Sequence, residues 1–157
     1  MTEEEEKYIH FAQCIENLNR SWKILKEISD TDDDSILVGA AFQYALVEYA
    51  KSFTTSRGNL NNYKLEDEYI PQEYKDLHDK IITARHQIHA HSDLTVKDAE
   101  LIVTKLKSDK FVGILQNNIK GVEQLPNIES IVDLIEKTLD QMYSKEEQLK
   151  KNLAINS

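Results

Sequence analysis

The run Arg85-His86-Gln87-Ile88-His89-Ala90-His91-Ser92-Asp93 places a guanidinium, three imidazoles and a carboxylate within nine residues, and His78 brings four of the five histidines between positions 78 and 91. Imidazole titrates near neutral pH and can act as general acid, general base or metal ligand. A guanidinium is always charged, and its fork matches a phosphate. Proton transfer beside a held phosphate is therefore the chemistry these residue types suggest. On a regular helix Arg85 falls about 40° from Ile81, on or beside an apolar stripe, where a charge needs a partner, a ligand or an interface. His91 falls about 120° from Arg85 on the same helix. A kink near Ala90, or a second copy of the helix across a two-fold axis, is then required to join them.

The same residues admit other roles. His86 and His89 are three apart and share a helical face, which suits bidentate zinc ligation with His91 or Asp93 completing the shell. The spacing is not a standard one and no second ligand cluster appears, so the expectation is no metal and no cofactor. As ordinary structural residues, Arg85 would snorkel from the core edge or pair with an acid of the first helix, His89 would be a hydrogen-bonded core or interface histidine, His78 a solvated helix residue and Asp93 a cap. Cys14 sits on an apolar-flanked helix and reads as packing. With no serine in a nucleophile setting, acyl or peptide hydrolysis has little support.

The elements that must position this cluster are helical. Thr2 and Glu5 fit a capping box, after which Tyr8, Phe11, Ile15, Leu18, Trp22 and Leu25 recur at steps of three and four, predicting one helix over roughly 3–28 with Trp22 in the core. Asp30 and Asp32 to Asp34 break it; the glycine and terminal glutamate of a calcium loop are missing, which leaves a cap and loop. A second helix over roughly 35–55 carries Ile36, Leu37, Ala40, Ala41, Tyr44, Val47 and Phe53 around one face. Ser56 to Ile70 reads as a polar loop. Pro71 suits the first turn of a third helix with Tyr74, Leu77, Ile81, Ala84 and Ile88 as its stripe. Residues 101–115 read either as a hairpin or as the ends of two short helices. A last long helix starts near Ile128 and runs through Leu153. The result is a single all-α domain, 1–157, an up-and-down bundle of four main helices with a hairpin or irregular insertion before the last.

Composition narrows the function. A chain of 157 residues can bury one core, and with one cysteine it can form no intrachain disulfide, which predicts a reducing, cytoplasmic setting. The acidic Glu3 to Glu6 start is unlike a signal peptide, and no apolar run is long enough to span a bilayer, so no membrane role is expected. A net charge of −9 argues against broad binding to DNA or RNA but leaves room for a local basic site.

Arg85, His86 and His91, with the ending Ala90-His91-Ser92-Asp93, resemble the motif of the HEPN superfamily. In those helical bundles an arginine is followed at once by a polar residue and several positions later by a histidine. Tyr49-Ala50-Lys51-Ser52-Phe53-Thr54 is similar to a segment preceding the motif helix in bacterial HEPN-like proteins, and the helix order fits, so the resemblance covers most of the chain. It implies a metal-independent endoribonuclease of a toxin–antitoxin or phage-defence system, acting on RNA and not DNA, as a homodimer with two motifs in one cleft and an antitoxin protein as partner. Carried over, His91 would assist attack of a ribose 2′-OH or protonate the leaving oxygen, Arg85 would stabilise phosphoryl charge, and His86 would orient these groups. His89, Asp93 and Lys51 would contribute to binding. Other members of the superfamily have lost cleavage and serve as binding or assembly modules, and the acidic charge favours that alternative.

Overall fold

Thr2 Oγ1 accepts from the Glu5 amide at 3.2 Å while the Glu5 carboxylate accepts from the Thr2 amide at 2.6 Å. This reciprocal cap satisfies two donors that the first turn would otherwise leave unpaired. Helix α1 then spans Glu3–Ser29, α2 Ile36–Ser52, α3 Lys75–His89 and α4 Ile128–Asn156. The computed structural model describes residues 1–31, 36–89, 100–106, 109–115 and 128–156, so Asp32 to Asp34 lie outside it.

Helix α1 is the centre of the bundle and packs against both α2 and α4, while α3 packs on α2. Both α1 neighbours run antiparallel to it. Ser21 bonds the Ala45 carbonyl and Ser52 bonds the Cys14 carbonyl along one seam. Tyr8 meets Glu146 and Trp22 meets Glu136 along the other. Leu18, Leu25, Leu46, Tyr49, Ile81, Ile131, Leu134 and Ile135 have no solvent exposure and form the heart of the core. Each such side chain contributes roughly 1.5–3 kcal/mol by leaving water. The fold is the all-α bundle expected from periodicity.

Several details differ from expectation. In α2 the buried apolar residues are Ala45, Leu46, Tyr49 and Ala50, whereas Ile36 and Leu37 are 87% and 74% exposed and Tyr44 48%. The helix is apolar on two opposite sides, so periodicity alone does not choose the one that faces α1. Trp22 is only half-buried; its indole N–H donates to Glu136 at 2.7 Å, and that polar end holds the ring at the seam instead of the centre. His78 is buried, not solvated.

Between α2 and α3, the expected loop contains a minimal antiparallel hairpin, β1 Ser56–Arg57 with β2 Asn62–Tyr63, then short 3-10 turns at Asp67–Tyr69 and Gln72–Tyr74. Pro71 precedes the second turn and α3 proper begins at Lys75. Proline's fixed φ and missing donor suit the start of the tight turn as well as that of a helix. For residues 101–115 the hairpin is the form adopted: β3 Glu100–Leu106 pairs antiparallel with β4 Asp109–Leu115, Leu106 opposite Asp109. β-branched residues on both runs, with Phe111 on the second, favour it.

Candidate functional site

Helix α3 delivers Arg85 as its spacing predicts. Ile81 and Ala84 are buried to 0% and 1% exposure, and Arg85 emerges beside them, half-buried. Its Nε is fully buried and has no hydrogen-bond partner among the described residues, and Nη1 lies 3.4 Å from Nδ1 of exposed His86. Among the described residues Arg85 makes no ion pair, so the structural alternative of an acidic partner on α1 is not realised there. A buried, unsatisfied guanidinium N–H is costly unless a ligand or another group completes it.

Arg85 opens onto a shallow cavity of about 350 Å³. Gln13 and Asn17 of α1 form one wall, Lys51 at the end of α2 another, and Thr54, Thr55 and Ser56 the rim. Gln13 and Asn17 share a face because they are four apart on a helix. Among the described residues the lining holds two cations, two amides, three hydroxyls and no carboxylate. In a chain of net charge −9 this is a local reversal of sign. Lys51 is steadied by Glu48, a fully buried carboxylate that also receives Arg20 Nη1 at 3.3 Å. With Arg20 and Lys51 both on Glu48, that acid is balanced before it can offset Arg85. The lining can donate many hydrogen bonds to an oxyanion, and Arg85 supplies the counter-charge that no acid among the described residues has already taken.

The sequence cluster is thus resolved in part. Arg85 and Lys51, distant in sequence, share one cavity, and His86 stands beside Arg85. His89 closes α3, its side chain outside the described part, and His91 and Asp93 lie outside the described residues altogether. The proposed zinc set of His86, His89, His91 and Asp93 therefore falls largely there too. Among the described residues no group of three His, Cys, Asp or Glu is placed to hold a metal.

Gln13, Asn17 and the Thr54-Thr55-Ser56 run were missed from the sequence; the run of hydroxyls immediately after Lys51 was the available signal. His78 has a different role from the cluster it appeared to join. Its Nδ1 lies 2.8 Å from the Tyr49 hydroxyl, its ring meets Phe53 edge-on at 4.6 Å, and Nε2 is 3.9 Å from Asp67. A neutral ring with Nε2–H toward Asp67 accepts from Tyr49 and satisfies both contacts. Burial lowers the His78 pKa, Asp67 and Asp79 opposing it. Cys14 is likewise structural: burial pushes its thiol up to about 11, although the Ser52 contact opposes this. It is therefore not a nucleophile at neutral pH.

No protein-family model, no curated protein and no solved structure matches this chain. Among the described residues no helix is long and apolar enough to cross a membrane.

Proposed function

We propose that this chain is a metal-independent endoribonuclease of HEPN type, working as a cytoplasmic homodimer in a toxin–antitoxin or phage-defence setting. The observation that supports the reading is Arg85, half-buried and without an acidic partner among the described residues, opening with Lys51 on a cavity whose lining among those residues has no carboxylate. Such a lining suits an RNA phosphodiester. His91 takes the proton of the 2′-OH as its oxygen attacks the adjacent phosphorus, and a protonated histidine of the dimer's second motif gives a proton to the departing 5′ oxygen. The products are a 2′,3′-cyclic phosphate and a 5′-hydroxyl. Arg85 offsets the charge gathering on the phosphoryl oxygens, Lys51 helps seat the phosphate, and His86 orients Arg85. His89 and Asp93 complete the binding surface.

The test is induced expression of the wild type beside Arg85→Ala and His91→Ala, scoring growth and RNA integrity, followed by purified protein on an RNA panel in excess EDTA. Growth arrest and cleavage by the wild type alone support the enzyme. A second reading, a non-catalytic binding or assembly module, draws on the net charge of −9. It takes over if the purified dimer binds RNA but leaves the whole panel uncut.

A further inference from the structure

A second depression adjoins the Arg85 cavity at Ser56. Gln13 and Ser56 line both, and the second, of about 170 Å³, is walled by Ile9 and His10 of α1 and by Arg57, Gly58 and Tyr63 of the small hairpin. Its chemistry is different. The His10 and Tyr63 rings stack with centroids 5.5 Å apart and planes at 29°, giving an aromatic wall beside Ile9. Burial holds His10 below its ordinary pKa, so this wall is uncharged at neutral pH. Glu6 also borders the depression, yet its carboxylate is engaged by the amides of Asn59, Leu60 and Asn61 and by the Tyr63 hydroxyl. Its charge still disfavours a phosphate at this end and tolerates a neutral ring.

The arginines mark the two ends. The chain has three: Arg20, Arg57 and Arg85. Arg20 is held by Glu16 and Glu48, whereas neither Arg57 nor Arg85 makes an ion pair among the described residues. Arg57 is exposed at the mouth of the aromatic depression, and Arg85 lies in the phosphate-compatible one. Single-stranded RNA presents this alternation of charged phosphates and flat bases, and its bases are commonly held on aromatic faces and guanidinium planes.

We propose that His10, Tyr63 and Arg57 form a subsite for one base of single-stranded RNA whose neighbouring phosphate occupies the Arg85–Lys51 cavity. This rests on the RNA reading above and adds to it a place and a chemistry for the nucleotide next to the scissile link. Fluorescence anisotropy tests it with a short labelled RNA, 2′-O-methylated so that it cannot be cut, and with the same backbone lacking its bases. The wild type should prefer the base-bearing strand about tenfold, the scale of one stacked base. Arg57→Ala and His10→Ala should each pull that ratio toward one, with thermal melting showing the fold intact, while Arg85→Ala weakens both strands and preserves the ratio. His10 ring protons should shift in NMR spectra with the base-bearing strand and not with the abasic one. Equal binding of the two strands by the wild type, with Arg85→Ala weakening both, overturns the subsite and leaves the phosphate site standing. A preference undiminished by either subsite variant also overturns it. Binding of neither strand defeats the RNA reading itself, and the subsite with it.

Discussion

At the scale of single residues, charge placement separates the side chains that the fold pairs from those it leaves unpaired among the described residues. Arg85 belongs to the second group, and if the RNA reading holds, Arg85→Ala and His91→Ala should each lower cleavage by about 10²–10⁴-fold while leaving the helical circular dichroism spectrum unchanged. Analysis of the ends should show 2′,3′-cyclic phosphates in EDTA, and DNA, lacking the 2′-OH, should stay intact; metal-dependent cutting would refute this chemistry. His78 belongs to the first group. Its folded pKa lies below the ordinary value near 6.5, because burial penalises the imidazolium more than Asp67 and Asp79 favour it. The unfolded chain then binds the proton more readily, so the stability due to this site is full above about pH 6.5 and is lost as pH falls below it. His78→Ala should cost roughly 2–5 kcal/mol at neutral pH, in line with emptying a buried site and stranding the Tyr49 hydroxyl, and should flatten that pH dependence. Denaturant titrations at a series of pH values check both.

At the scale of elements, the decisive unit is the small hairpin between α2 and α3, which puts Ser56 and Arg57 against α1. Glu6 clamps it: three successive amides and the Tyr63 hydroxyl converge on one carboxylate. Burial works to raise the Glu6 pKa, but those hydrogen bonds outweigh it and the net value is lowered. The clamp should therefore hold at neutral pH and release as acid takes the carboxyl through its depressed pKa. Gly58 is the other requirement. A Cβ there would sit 2.7 Å from the Asn61 carbonyl oxygen, 2.8 Å from the Tyr63 ring and 2.9 Å from the Glu6 carboxyl carbon. Gly58→Ala should cost about 1–3 kcal/mol and make the 56–63 loop more sensitive to proteolysis, while Glu6→Gln should be sensitive at every pH and differ from the wild type only above the clamp's acid transition. Helix positions were legible from the sequence because spacing and caps are local, as Thr2 and Glu5 illustrate. The buried face of α2 was not, since Ile36 and Leu37 are as apolar as Leu46 and only the partner decides. Arg85 was legible from its offset to Ile81, but its companions Gln13, Asn17 and Ser56 come from two other elements, and nothing local joins them. Glu6 was hidden among four consecutive glutamates, of which one is buried.

At the scale of the whole molecule, the proposed composite site requires two copies. Among the described residues Ile36, Leu37 and Tyr44 form an exposed apolar row on α2, the kind of surface that a second copy covers. Light scattering should return about twice the 18.2 kDa chain mass. A mass of one chain at every accessible concentration would remove the shared cleft, and with it the pairing of Arg85 and His91 across a two-fold axis.

Trp22, the one tryptophan, lies nine residues after Gln13, half a helical rotation away on α1, with its indole donating to α4. The chain thus carries an intrinsic fluorophore fixed to the seam of the bundle and turned away from the groove. Its emission should follow loosening of α1 from α4 and remain silent when an oligonucleotide settles beside Gln13, so one sample can report stability and, through an extrinsic label, occupancy without the two signals mixing.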